Sequence, residues 1–123
     1  IKDKAIIIFE GHFKRNYIHV RDVVDVFSFA IKNFTNMKSN IFNVGIDDAN
    51  LSKIELCQLI QKHISDFVYH ESPIGEDPDK RDYIVSNEKL LSYGFTPKHS
   101  LDDGIRQLIK LYSMMSDKLY SNV

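Results

Sequence analysis

Twelve lysines and only four arginines, at positions 15, 21, 81 and 106, carry the positive charge of this 123-residue chain. Arg15 lies in Gly11-His12-Phe13-Lys14-Arg15-Asn16-Tyr17, between two extended stretches. Arg81 lies in Asp77-Pro78-Asp79-Lys80-Arg81-Asp82-Tyr83, at the end of the longest loop. A guanidinium presents a planar fork of donors that matches phosphate oxygens, so two of them on loops form a candidate anion site. The competing reading pairs each with an adjacent aspartate on the surface. Arg106, on the polar side of the last helix, and Arg21, in the first turn of another, read as solvated charges.

Other chemistries lack the spacing they need. The glycines stand at 11, 45, 75, 94 and 104, never closer than ten positions, so no glycine-rich turn can bring a pyrophosphate against backbone amides. No glycine-flanked serine forms a nucleophile elbow. The five histidines are isolated and Cys57 has no second thiol, so neither a metal site nor an internal disulfide is expected, and a reducing compartment fits. A formal charge of -1 disfavours nucleic acid and acidic membranes as partners. No apolar run approaches the ~18 residues of a spanning helix and no leader opens the chain, which makes a cytoplasmic location the expectation. The start at Ile1, on the approach to a strand, reads as a piece of something longer.

The elements that must position these arginines follow from periodicity. Ala5–Phe9 reads as a buried strand, Ile41–Gly45 as a second, Phe67–Tyr69 as a third and Tyr83–Val85 as a brief fourth. A helix from Arg21 shows Val23, Val24, Phe27, Ala30, Ile31 and Phe34 at three- and four-residue steps. Asn33–Asn40 reads as a polar connection. Ser52-Lys53-Ile54-Glu55 is a capping box, opening a helix whose Leu56, Leu59 and Ile60 face a core. Ser86 caps a short helix ended by Gly94. Ser100 caps the last one, with Leu101, Ile105, Leu108, Ile109 and Tyr112 on one stripe, and the tail after Met115 is expected to fray. The result is one domain over 1–123, an open α/β or α+β lobe with a small mixed sheet and about four helices.

Five motifs, in order, carry a resemblance. Arg15-Asn16-Tyr17-Ile18-His19-Val20-Arg21-Asp22-Val23-Val24 is similar to the R-D/N-F/Y-I/V-H-V-x-D-V stretch of extended short-chain dehydrogenase/reductases, the NAD(P)-dependent nucleotide-sugar epimerases and dehydratases. Ile41–Gly45 resembles their N-V-G strand, and Leu51-Ser52 through Glu55-Leu56 their S-x-x-E-L helix start. Asp79–Tyr83 with Ser86 and Lys89 resembles R-D-Y-x-x-S-x-x-K. Gly94-Phe95-Thr96-Pro97 with Ser100-Leu101 and Gly104-Ile105 resembles the closing G-F/W-x-P-x-x-S-L-x-x-G-I/L.

The resemblance implies the C-terminal, substrate-binding portion of such an enzyme, without its Rossmann domain. NAD or NADP would be bound by that other domain and none by this chain. Catalytic residues are not expected here, because no Tyr-x-x-x-Lys pair occurs. Arg15 then corresponds to the arginine that contacts the nucleotide diphosphate, and Arg81 to a second basic position at phosphates or ribose. Asp79 corresponds to an acceptor for ribose hydroxyls, and Asn50 and Asp48 to polar nucleotide contacts after the N-V-G strand. His19 and Asp22 read as structural, fixing the strand-to-helix turn. The implied partners are a nucleotide-sugar and the Rossmann domain, with the parent a homodimer through helices of that domain. A 4-epimerase or related enzyme of surface-polysaccharide synthesis is the expected parent. The alternative is a stand-alone, non-catalytic nucleotide-sugar binding or interaction module.

Overall fold

A computed structural model describes residues 3–115. The apolar run Ala5–Ile8 forms strand β1 and pairs in parallel with β4, Val68–Glu71, with Ala5 opposite Val68. β2, Lys14–Asn16, and β3, Asn50–Ser52, form a separate antiparallel pair in which Arg15 is opposite Leu51 and Asn16 opposite Asn50. The fold is the small mixed α/β lobe expected, with its strands in two two-stranded sheets instead of one. Ile6 and Ile7 are exposed and only Ile8 of β1 is buried, against the expectation of a buried strand.

Two segments read as strands, Ile41–Gly45 and Tyr83–Val85, have none among the described residues. A strand needs a neighbour to take its amides and carbonyls. The Val85 N–H and C=O meet the Asn50 side-chain amide (2.9 and 3.0 Å), which satisfies that one residue without starting a ladder.

The helices are α1 (Val20–Lys32), α2 (Phe34–Met37), α3 (Lys53–Gln61), α4 (Glu88–Ser92) and α5 (Leu101–Met114). α2 is the addition to the expected four. It lies in the stretch read as a polar connection and buries Met37. The expected capping box of Ser52 with Glu55 forms, and the expected Ser100 cap is a capping box too, closed by Asp103. Gly94 closes α4 at φ +94, a conformation costly for a residue with a Cβ. Val26, Met37, Leu90 and Phe95 make the core, with Phe29, Ala30, Phe42 and Val44 against it.

α1 carries apolar residues on two faces, and only one is covered. Asp22, Val26, Phe29 and Ala30 point inward, while Val20, Val24, Phe27 and Ile31, at four- and three-residue steps, are exposed with Phe34 beyond them. Ile31 keeps 77% of its surface accessible. Of the apolar residues whose spacing marked this helix, Val24, Phe27 and Ile31 thus lie on the outer face. In α5, likewise, Ile105 is buried and Leu108 and Tyr112 are not. The tail after Met115 lies outside the described residues. No helix among the described residues is long and apolar enough to cross a membrane.

Candidate functional site

Arg15 sits in β2, where pairing with β3 fixes its backbone. Its guanidinium donates to the Lys14 carbonyl (2.8 Å) and to the Asp79 carbonyl (2.7 Å), and lies 3.4 Å from the Asp79 carboxylate. The Tyr83 ring lies below it, 5.5 Å from ring centre to guanidinium carbon, and only 14% of the Arg15 side chain is exposed. Arg81 grips the same carboxylate. Its Nε and one terminal nitrogen donate to the two Asp79 oxygens at 2.6 Å each, while 72% of its side chain is open to solvent. The Arg81 fork, with Arg15 adding to it, holds the Asp79 carboxyl well below the usual carboxylate range. Reciprocally, Asp79 pushes the Arg81 guanidinium still higher. Three of the five candidate residues therefore meet in one cluster, sixty-odd positions apart in the chain.

The loop that brings Asp79 and Arg81 to β2 is tethered by charge. Lys53 at the start of α3 pairs with Asp77 and donates to the Phe9 carbonyl (2.7 Å). The Asp77 carboxylate in turn accepts from the Asp79 amide (2.8 Å). Asp82 accepts from the Lys14 amide (2.8 Å), and Glu10 from the Asp77 amide (3.1 Å).

Asn50 is engaged within the protein. Its amide nitrogen donates to Asp47 and Val85 carbonyls, and its oxygen accepts from Asn16 and the Val85 amide. Four bonds use the whole capacity of a carboxamide, so a nucleotide contact there would have to replace one of them. Asp48 is exposed on the short 3-10 turn Asp47–Ala49. Asn16 is a residue the sequence reading passed over. It clamps Ile46 through both amide and carbonyl (3.0 and 2.7 Å), and a Cβ at Gly45 would collide with it. Tyr83, the floor under Arg15, was also missed; an aromatic two positions after Arg81 was the available signal.

A second charged cluster lies in the helical half. Asp22, 0% exposed, accepts from the Lys98 amide (3.0 Å), the His99 amide (3.1 Å) and His99 Nδ1 (3.0 Å). Burial pushes its carboxyl up, but these donors together outweigh burial and lower it. His99 stacks on His19 at 4.4 Å between ring centres, and His19 Nδ1 caps α1 by accepting from the Arg21 amide (3.1 Å). Every Asp22 contact is internal, which suits a brace at the strand-to-helix turn. Burial pushes the Cys57 thiol up, so it is a poor nucleophile. No three His, Cys, Asp or Glu side chains among the described residues are arranged to hold a metal ion.

Gly11 backs onto Ile54, Gly45 onto Asn16 and Gly75 onto Phe9, so each glycine that approaches a neighbour is filled by a side chain instead of opening onto a cradle.

Residues 1–45 match the model of the NAD dependent epimerase/dehydratase family. CDP-paratose 2-epimerase of Salmonella typhi is 27% identical over 101 residues, which cover 80% of this chain and 30% of that protein. GDP-L-colitose synthase of Yersinia pseudotuberculosis is 29% identical over 115 residues, 90% of this chain and 35% of that one. Among solved structures, a GDP-D-glycero-L-gluco-heptose synthase from Campylobacter jejuni, in the presence of NADPH, superposes with a TM-score of 0.70 at 22% identity. The match covers 91% of this chain and 34% of that chain. The chain is therefore related to the nucleotide-sugar epimerases and reductases of the extended short-chain dehydrogenase/reductase class, as the motifs implied. It spans about a third of the length of the curated relatives it matches.

Proposed function

We propose that this lobe binds the diphosphate of a nucleotide-sugar for a longer NAD(P)-dependent enzyme that oxidises or reduces the sugar at C4. The observation that carries the reading is the convergence of Arg15 and Arg81, the two arginines of the family-like motifs, on one anionic group. Arg15 is the anchor, because β2 and Tyr83 hold it before any ligand arrives. Arg81 is the exposed partner. Asp48 and Asn50 lie on the neighbouring turn and strand, on the nucleotide side of the proposal. Gripping the phosphates, remote from the reacting carbon, supplies binding energy for orienting the sugar. NAD(P) would be held elsewhere in the longer protein and would exchange hydride with the sugar. The exposed face of α1 would pack against that remaining part, since its apolar stripe is continuous and uncovered among the described residues.

The test is turnover. Full-length protein supplied with NAD or NADP and a panel of UDP-, GDP-, CDP- and dTDP-sugars should convert at least one of them, and the isolated 123-residue chain should convert none. Turnover by the isolated chain, or by neither, contradicts the reading. A module that binds nucleotide-sugars without catalysis would show up as binding with no turnover by full-length protein.

A further inference from the structure

We infer that Asp79 is a displaceable internal counter-ion, which occupies the arginine pair until a diphosphate takes its place. The inference rests on the binding reading above and goes beyond the ribose contact the motif implies for this residue.

The geometry has three parts. The Arg81 fork closes on both Asp79 oxygens at 2.6 Å, using the same planar donor pattern that binds two phosphate oxygens. Arg15 is 3.4 Å from Asp79 Oδ1, so one carboxylate neutralises part of both cations. With two guanidinium charges and one carboxylate the cluster keeps one positive charge, too little to balance the two negative charges of a diphosphate and enough to attract it.

Displacement is cheap for the protein because the Asp79–Arg81 pair is local and exposed. The partners are two residues apart, with side chains 41% and 72% accessible, and pairs of that kind contribute little to stability. Arg15 differs. Its bonds to the Lys14 and Asp79 carbonyls use main-chain acceptors that do not depend on the carboxylate, so it stays in place when the side chain swings away. A carboxylate left between the arginines beside a diphosphate would be a like-charge contact. Asp79 must turn out, and the binding energy seen is the difference between the two anions.

Asp79→Asn is the direct variant. It keeps an oxygen for the Arg81 amide, which Asp79 Oδ1 accepts at 3.3 Å, and removes the charge. Titrate GDP and UDP into the full-length protein, D79N, R15A and R15A/D79N, at low and moderate salt. The inference predicts that D79N binds about two- to fivefold more tightly. It also predicts a steeper loss of affinity with salt, since the cluster gains one net positive charge. Weaker or unchanged binding by D79N, with R15A weaker than wild type, overturns the counter-ion and supports the ribose acceptor or a purely structural loop. Unchanged binding by R15A overturns the underlying reading itself, whatever D79N does.

Discussion

Two aspartates in this chain gather donors from distant parts of the sequence under opposite conditions. Asp22 is sealed at the start of α1 and takes two amides and an imidazole from Lys98 and His99, joining α1 to the approach to α5. Asp79 is half-exposed on a loop and takes the side chains of Arg15 and Arg81. A buried carboxylate whose two oxygens are both engaged is a fixed joint, because releasing it strands donors away from water. A half-exposed carboxylate between guanidinium groups can be exchanged for another anion at little cost to the fold. The same residue type therefore marks the rigid half of the lobe in one place and the candidate binding edge in the other.

The largest break in that comparison should come from Asp22→Ala, which leaves the Lys98 and His99 donors facing an empty buried site. Chemical denaturation should show a loss of about 3–5 kcal/mol. A loss under about 1 kcal/mol would mean the joint is dispensable. The acid limb of stability follows from the same residue. The folded Asp22 carboxyl lies below its ordinary value of 3.8, so its contribution is complete above that value and is lost as pH falls through 3.8 toward the lower folded value. Asp22→Asn should flatten the fall in stability between about pH 5 and pH 2. If it leaves the slope unchanged, other carboxylates carry it.

How legible these two regions were differs for physical reasons. The capping box at Ser52, the Ser100 cap and the Gly94 stop were readable because their signals are local, within three or four residues. The meeting of Arg15 with Asp79 and Arg81 was anticipated only as a shared chemistry, since it depends on a long-range approach. Asn16 and the buried acceptor role of Asp22 toward Lys98 and His99 were invisible for the same reason, while Tyr83 left only the signal of an aromatic two positions after Arg81. The α1 periodicity detected the helix but could not choose which of its two apolar faces meets Val26's neighbours and which stays open. Ile41–Gly45 has strand composition yet no strand, because pairing belongs to the partner as much as to the residues.

Smaller effects sharpen the contrast. Ser100→Ala removes the cap that accepts from the Asp103 amide (3.1 Å) and should cost about 1 kcal/mol by denaturation, with nucleotide affinity unchanged. A loss of affinity in that variant would mean the two regions are coupled. Phe27→Glu on the open α1 face should change the stability of the isolated chain by less than about 0.5 kcal/mol while lowering its self-association in sedimentation. A large stability loss would show that this face is covered after all.

Arg15 decides the central claim. Calorimetric titration of GDP or UDP into full-length protein and into its Arg15→Ala variant, with Arg106→Ala as the control, compares a guanidinium held over Tyr83 with one on the exposed side of α5. The account predicts affinity about ten- to hundredfold weaker for Arg15→Ala, partly recovered by Arg15→Lys, and no change for Arg106→Ala. Equal affinities for Arg15→Ala and the unaltered protein would contradict it and leave the arginine–aspartate cluster as surface structure.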